Sequence, residues 1–133
     1  MSGPRFLLDT NIVVFALRRH PGPLRERLLE ASGRLAVSSN TVSELAYGTE
    51  RSADRLANRR AVEQFLALTS VLPFDAAAAE HAGEIRATLA TAGIPIGGND
   101  VLIAGHARSA GLAVVTNTRE FARVPGLEVL DWA

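Results

Sequence analysis

Short apolar runs, set apart by segments of helical periodicity, constrain this chain more than any other feature. Residues 5–8, 35–38, 71–74 and 112–116 are such runs, and 127–130 is a weaker fifth. They are too short for buried helices and fit strands covered on both faces. Between them apolar residues recur every three or four positions, as in Ile12, Val13, Phe15, Ala16 and Leu17, or Leu24, Leu28 and Leu29. Strands that alternate with helices are joined by crossovers and not by tight hairpins. The expected architecture is therefore α/β, a mostly parallel sheet of four to five strands with helices on both faces. No repeat, low-complexity stretch or linker interrupts the 133 residues, so one domain over 1–133 is expected.

Punctuation residues give the expected helix ends. Asn11 is expected to cap a helix that His20-Pro21-Gly22-Pro23 ends, and Ser32-Gly33 stops the next. Asn40 or Thr41 is expected to cap a helix stopping near Gly48. Residues 53–69 read as one long amphipathic helix with an arginine-rich face. Pro73 places the third strand at an edge or an end. Asp75 is a strong cap for an alanine-rich helix reaching about Ala90, and Asn99 opens another through Ala107.

Composition removes whole classes of chemistry. There is no cysteine, hence no disulfide, thiolate nucleophile or cysteine-type zinc site. All 14 basic residues are arginine, so neither a P-loop nor a lysine Schiff base is possible. One tyrosine and one tryptophan leave little aromatic surface for stacking bases. No apolar run reaches the roughly 18 residues of a bilayer span, and residues 1–9 lack a signal-peptide core; a cytoplasmic protein without membrane contact is the expectation. The net charge of zero hides an asymmetry. Residues 18–60 carry nine arginines against five acids, whereas 61–100 carry only Arg86 against five acids. Solvated helix faces are the commoner explanation of any one charge; together they suit a polyanion held over carboxylates.

Parallel α/β sheets place their sites beyond the carboxyl ends of the strands, where strand order reverses. Asp9 directly follows the first strand, and Glu44 lies early in the helix after the second. Asp100 is in the first turn after the Gly97-Gly98 loop, and Glu120 follows the fourth strand. Each has a purely structural explanation: a turn residue for Asp9, a capping-box partner of Thr41 for Glu44, and the helix dipole for Asp100. None of these explains why all four fall at one sheet edge. Clustered carboxylates must be protonated or bridged by cations. Hard oxygen donors favour Mg²⁺ or Mn²⁺, which polarises a phosphoryl oxygen and acidifies a bound water. Phosphodiester hydrolysis is the fitting reaction.

At these residues the chain resembles the PIN-domain ribonucleases, and among them the VapC toxins of type II toxin–antitoxin pairs. The resemblance is carried by Leu7-Leu8-Asp9-Thr10-Asn11-Ile12, by Val42-Ser43-Glu44-Leu45-Ala46-Tyr47-Gly48, by residues 95–107 around Gly97-Gly98-Asn99-Asp100, and by Val115-Thr116-Asn117-Thr118-Arg119-Glu120-Phe121. It implies a PIN-like α/β/α sandwich in which Asp9, Glu44 and Asp100 bind Mg²⁺ or Mn²⁺ and activate water. Asn11, Thr116 and Asn117 are implied as supporting residues. Where family members often carry an acid two residues beyond the threonine, this chain has Thr118, and Glu120 is the nearest candidate for a fourth catalytic carboxylate. The resemblance further implies RNA as substrate, tRNA above all, and a VapB-type antitoxin as partner. It implies a homodimer and higher assembly with antitoxin. An exposed apolar groove from residues 13–17 and 56–68 is the expected antitoxin seat.

Other readings compete. A haloacid-dehalogenase-like phosphatase expects a second aspartate where Asn11 stands, and a lysine; a response-regulator receiver also expects a lysine. A catalytically weak or inactive PIN-fold binding module is the remaining alternative. His81 and His106 read as packed or surface residues, His20 as a loop tip, and Arg86 as an ion-pair partner of a nearby acid.

Overall fold

A computed structural model describes residues 3–18 and 22–132. The strands are β1 (Phe6–Leu8), β2 (Leu35–Ser38), β3 (Ser70–Leu72), β4 (Ala113–Val115) and β5 (Val129–Leu130). They form one wholly parallel sheet in the order β3-β2-β1-β4-β5. The helices are α1 (Thr10–Leu17), α2 (Pro23–Glu30), α3 (Ser39–Glu50), α4 (Arg55–Leu66), α5 (Ala76–Thr91) and α6 (Gly98–Ala110), and a short 3-10 helix spans Arg119–Arg123. The α/β sandwich expected from the apolar runs is the one observed.

Two-residue alternation divides the sheet between two cores. Leu7, Ala36 and Val114 pack with Ile85, Leu89 and Ile103 of α5 and α6. Their neighbours Leu8, Val37 and Val115 point the other way, onto Ile12, Val13, Leu24, Leu45 and Val62 of α1 to α4. Burial on both faces is why the runs lack polar interruptions. β3 lies at the sheet edge and stops before Pro73, as its proline demands.

Several helices begin at residues other than the expected ones. Asp9, not Asn11, is the N-cap residue of α1, and its side chain makes no capping bond. Ser38, not Asn40 or Thr41, caps α3: its hydroxyl accepts from the Asn40 N–H at 3.1 Å, and the helix runs past Gly48 to Glu50. Asp54 caps α4, so the helix expected over 53–69 is shorter. Gly97 takes the cap position expected of Asn99. For α1, α3 and α6 the true cap lies two or three residues upstream of the expected one. Asp75 caps α5 as expected, accepting from the Ala78 N–H at 2.9 Å. His20 and Pro21, expected to end α1, lie outside the described residues with Arg19.

Two glycines are required by their places. Gly111 ends α6 with φ of 69°, and the Leu112 N–H donates back to the Ala107 carbonyl, turning the chain straight into β4. At Gly105 a Cβ would fall 2.5 Å from the backbone nitrogen of Ala82, so α5 and α6 pack nearly backbone to backbone. Arg108 locks the same pair of helices. Its Nε donates to His81 Nδ1 and its Nη2 to Glu84 Oε1, both at 3.0 Å, and its Nη1 reaches the Pro125 carbonyl at 3.2 Å. Arg86, expected in an ion pair, makes none among the described residues. No helix among these residues is long and apolar enough to cross a membrane.

Candidate active site

The chain visits β1, β2 and β3 in one direction across the sheet, then crosses to β4 and β5 on the far side of β1. Strand order therefore reverses between β1 and β4, and a crevice opens beyond their carboxyl ends. Asp9 sits there. Its N–H donates to the Val115 carbonyl at 3.0 Å, which continues the β1–β4 pairing to the lip of the crevice. The residue is only 1% exposed.

Thr116 holds the Asp9 side chain. Its Oγ1 accepts from the Thr118 N–H at 2.9 Å, which leaves its own proton to donate to Asp9 Oδ2, also at 2.9 Å. Asn11, in the first turn of α1, donates from Nδ2 to Thr118 Oγ1 at 3.3 Å and closes this link from the other side. Asn117 is exposed and makes no side-chain hydrogen bond among the described residues.

Glu44 is reached from α1. Thr10 Oγ1 donates to Glu44 Oε1 at 2.8 Å and lies 3.0 Å from Thr41 Oγ1. The capping-box explanation for Glu44 therefore fails, because its carboxylate turns to Thr10 and the α3 cap belongs to Ser38. Asp100 stands in the first turn of α6; a Cβ at Gly97 would lie 3.6 Å from its Oδ2. Glu120 lies on the 3-10 helix after β4.

The charges of these four acids are felt across the crevice. Burial pushes the Asp9 carboxyl up from 3.8 to about 6; the Thr116 hydroxyl opposes this, and Asp100 and Glu44 add to it. Asp100 is raised by burial, then by Glu120, then by Glu44. Asp100 is thus the hub that couples to the other three. Among the described residues, no three His, Asp or Glu side chains are already drawn in to the spacing that grips an ion. The donor set nonetheless suits a hard divalent cation: all oxygen, mutually repelling, with no basic residue among the charges acting on Asp9 or Asp100.

Other polar residues fall outside this cluster. His106 is buried in α6, its Nδ1 2.9 Å from Ser38 Oγ and its ring edge-on to Phe74; burial pulls its imidazole pKa down while Asp75 opposes. His81 is held by Arg108. Both are packed histidines, as the sequence indicated. Part of the arginine excess is met locally, since Arg55 and Arg59 both pair with Glu50. Of the expected apolar groove, Val13 is buried and residues 14–17 are half-buried, whereas Leu56 and Leu68 are 60% and 70% exposed.

Sequence reasoning gave the threonines at positions 10, 41 and 118 no part in holding the acids. The one available signal was adjacency: Thr10 follows Asp9, and Thr41 precedes Glu44 by one helical turn.

Comparison with known proteins bears directly on this arrangement. Residues 6–127 match the PIN domain family. The chain is 49% identical over 130 residues to the tRNA(fMet)-specific endonuclease VapC of Shigella flexneri, covering 97% of this chain and 98% of that one. It is 42% identical over 129 residues to Ribonuclease VapC2 of Haemophilus influenzae, covering 96% and 98%. In structure it is similar to a chain of DNA-bound VapBC from Salmonella typhimurium, with a TM-score of 0.94, 46% identity and coverage of 98% and 99%. VapBC2 from Rickettsia felis, bound to a DNA fragment from its promoter, gives a TM-score of 0.91 at 34% identity, covering 96% and 98%. Matched over residues 6–127 by the PIN domain family and at 42–49% identity over nearly its full length by VapC nucleases, this chain belongs to the PIN-domain family, in the branch of the VapC ribonucleases.

Proposed function

We propose that this protein is the toxin of a type II toxin–antitoxin pair, an endoribonuclease that hydrolyses phosphodiester bonds in tRNA with Mg²⁺ or Mn²⁺. One observation carries the reading: Asp9, buried where strand order reverses, is pushed up to about 6 partly by the charges of Asp100 and Glu44. Three carboxylates converging without a basic residue are untenable as anions unless a cation joins them. The names of the relatives support the substrate, and the VapBC complexes support a VapB-type antitoxin as partner.

In this reading Asp9, Glu44 and Asp100 hold the ion, and Glu120 is the fourth catalytic carboxylate. When bound, the ion supplies a Lewis acid for a phosphoryl oxygen and a water acidified towards neutral pH. The chain's own residues do the rest. Thr116 fixes the Asp9 carboxylate through its Oδ2. Asn11 steadies Thr118 and hence the Thr116 hydroxyl, and Asn117 lies at the exposed rim beside them. Gly97 and Gly98 present no side chain over Asp100, so a sugar-phosphate backbone can approach it closely. The protein acts as one PIN domain over residues 1–133 in the cytoplasm, as a homodimer that assembles further with antitoxin.

Purified protein should cleave tRNA with Mn²⁺ or Mg²⁺ and stop on chelation, and Asp9→Asn and Asp100→Asn should be inert. Expression without antitoxin should arrest growth for the wild type and not for Asp100→Ala. Absence of cleavage by the wild type with either ion would leave only the binding-module reading, and cleavage undiminished in Asp100→Asn would refute the role given to Asp100.

A further inference from the structure

We infer that Thr10 is a positioning residue for the ion site, turning the Glu44 carboxylate so that Oε1 is occupied and Oε2 is presented to the crevice. The inference rests on the reading of Glu44 as an ion ligand. A hydroxyl has one proton, and that of Thr10 goes to Glu44 Oε1 at 2.8 Å. The 3.0 Å contact with Thr41 must then run from the Thr41 hydroxyl to the Thr10 oxygen. Thr41 is fully buried and Thr10 is 9% exposed, so the donor chain is fixed by packing at its inner end. Glu44, at the outer end, is exposed and would otherwise sample many rotamers.

The arrangement repeats on the other side of Asp9. Thr116 gives its proton to one oxygen of Asp9, after being oriented by the Thr118 N–H. Thr10 gives its proton to one oxygen of Glu44, after being oriented by Thr41. Two carboxylates, one directly after β1 and one on α3, each have an oxygen held by a threonine hydroxyl. Thr10 is also the first residue of α1, directly after Asp9, so a single helix start sets both acids. Hydrogen bonds of this kind to ligating carboxylates fix their orientation and raise ion affinity.

The alternative is that the Thr41–Thr10–Glu44 chain merely knits α1 to α3. Direct Mn²⁺ binding, followed by the electron paramagnetic resonance of the free ion, separates the two on the full chain without RNA. The double variant Thr10→Val/Thr41→Val removes both hydroxyls together and leaves neither unpaired. It should weaken Mn²⁺ binding on the order of 10- to 100-fold, while Thr10→Ser retains wild-type binding. Thr10→Ala serves as the second probe if the double variant does not fold. Wild-type Mn²⁺ binding in the hydroxyl-free variants, with binding lost in Glu44→Gln, would overturn the role of Thr10 alone. Wild-type binding in Glu44→Gln would overturn both this role and the reading of Glu44 as a ligand.

Discussion

Replacing Asp9 with asparagine should abolish cleavage and at the same time make the protein harder to unfold at neutral pH. Asparagine is nearly isosteric, and its Oδ1 can accept the Thr116 proton now given to Asp9 Oδ2 at 2.9 Å. What disappears is the charge. The rise of the Asp9 carboxyl from 3.8 to about 6 corresponds to about 2–3 kcal/mol against the ionised form in the folded protein. Between those two values the folded chain holds a proton that the unfolded chain has released, so wild-type stability falls as pH rises through this window. Above about pH 7 the loss is complete, and below about pH 4 wild type and variant should coincide. For a chain of this length the advantage of Asp9→Asn at pH 7.5 is roughly 6–12 °C in melting temperature. Paired thermal melts by circular dichroism at pH 4 and pH 7.5, in chelator, measure it. A gap that does not widen with pH, or a variant less stable than wild type at pH 7.5, would refute the claim that ionised Asp9 is held against its own burial and its acidic neighbours.

Three further outcomes follow from the packing. Gly105→Ala forces a methyl group against the Ala82 backbone 2.5 Å away and should cost about 1–3 kcal/mol, read as a lowered urea midpoint; an unchanged midpoint would show that α5 and α6 can part freely. Thr116→Val removes the one hydroxyl that lowers the Asp9 carboxyl, so the pKa read by carbon NMR should climb above its wild-type value of about 6. Arg108→Ala breaks three hydrogen bonds in a largely buried side chain and should cost about 1–3 kcal/mol, whereas Arg55→Ala, in an exposed pair, should change stability by less than about 0.5 kcal/mol.

The fold was legible because burial on both faces leaves a strand such as residues 35–38 without a polar interruption, and because a crossover must follow each parallel strand. The positions of Asp9, Glu44, Asp100 and Glu120 were legible for the same reason: each follows a strand or a helix start, and parallel topology puts those points at one edge. Helix caps were less so. In Ser38-Ser39-Asn40-Thr41 every side chain can cap, and the place where β2 ends, at Ser38 with its extended backbone, selects it. The threonine link to Glu44 was not legible. The hydrogen bond between Thr10 and Glu44 joins residues 34 apart, and nothing in either local sequence announces it. Arg86 misled in the opposite way: acids near it in sequence invited an ion pair that it does not make among the described residues.

The central place of β1 in the sheet has a consequence for synthesis. A ribosome delivers Phe6–Leu8 first, yet that strand is completed only when Ala113–Val115 arrives to pair with its open side. Until then Asp9 has neither the Val115 carbonyl nor the Thr116 hydroxyl to hold it. A chain cut short before residue 113 should therefore hold Asp9 in neither of these contacts and leave the carboxylate cluster unassembled.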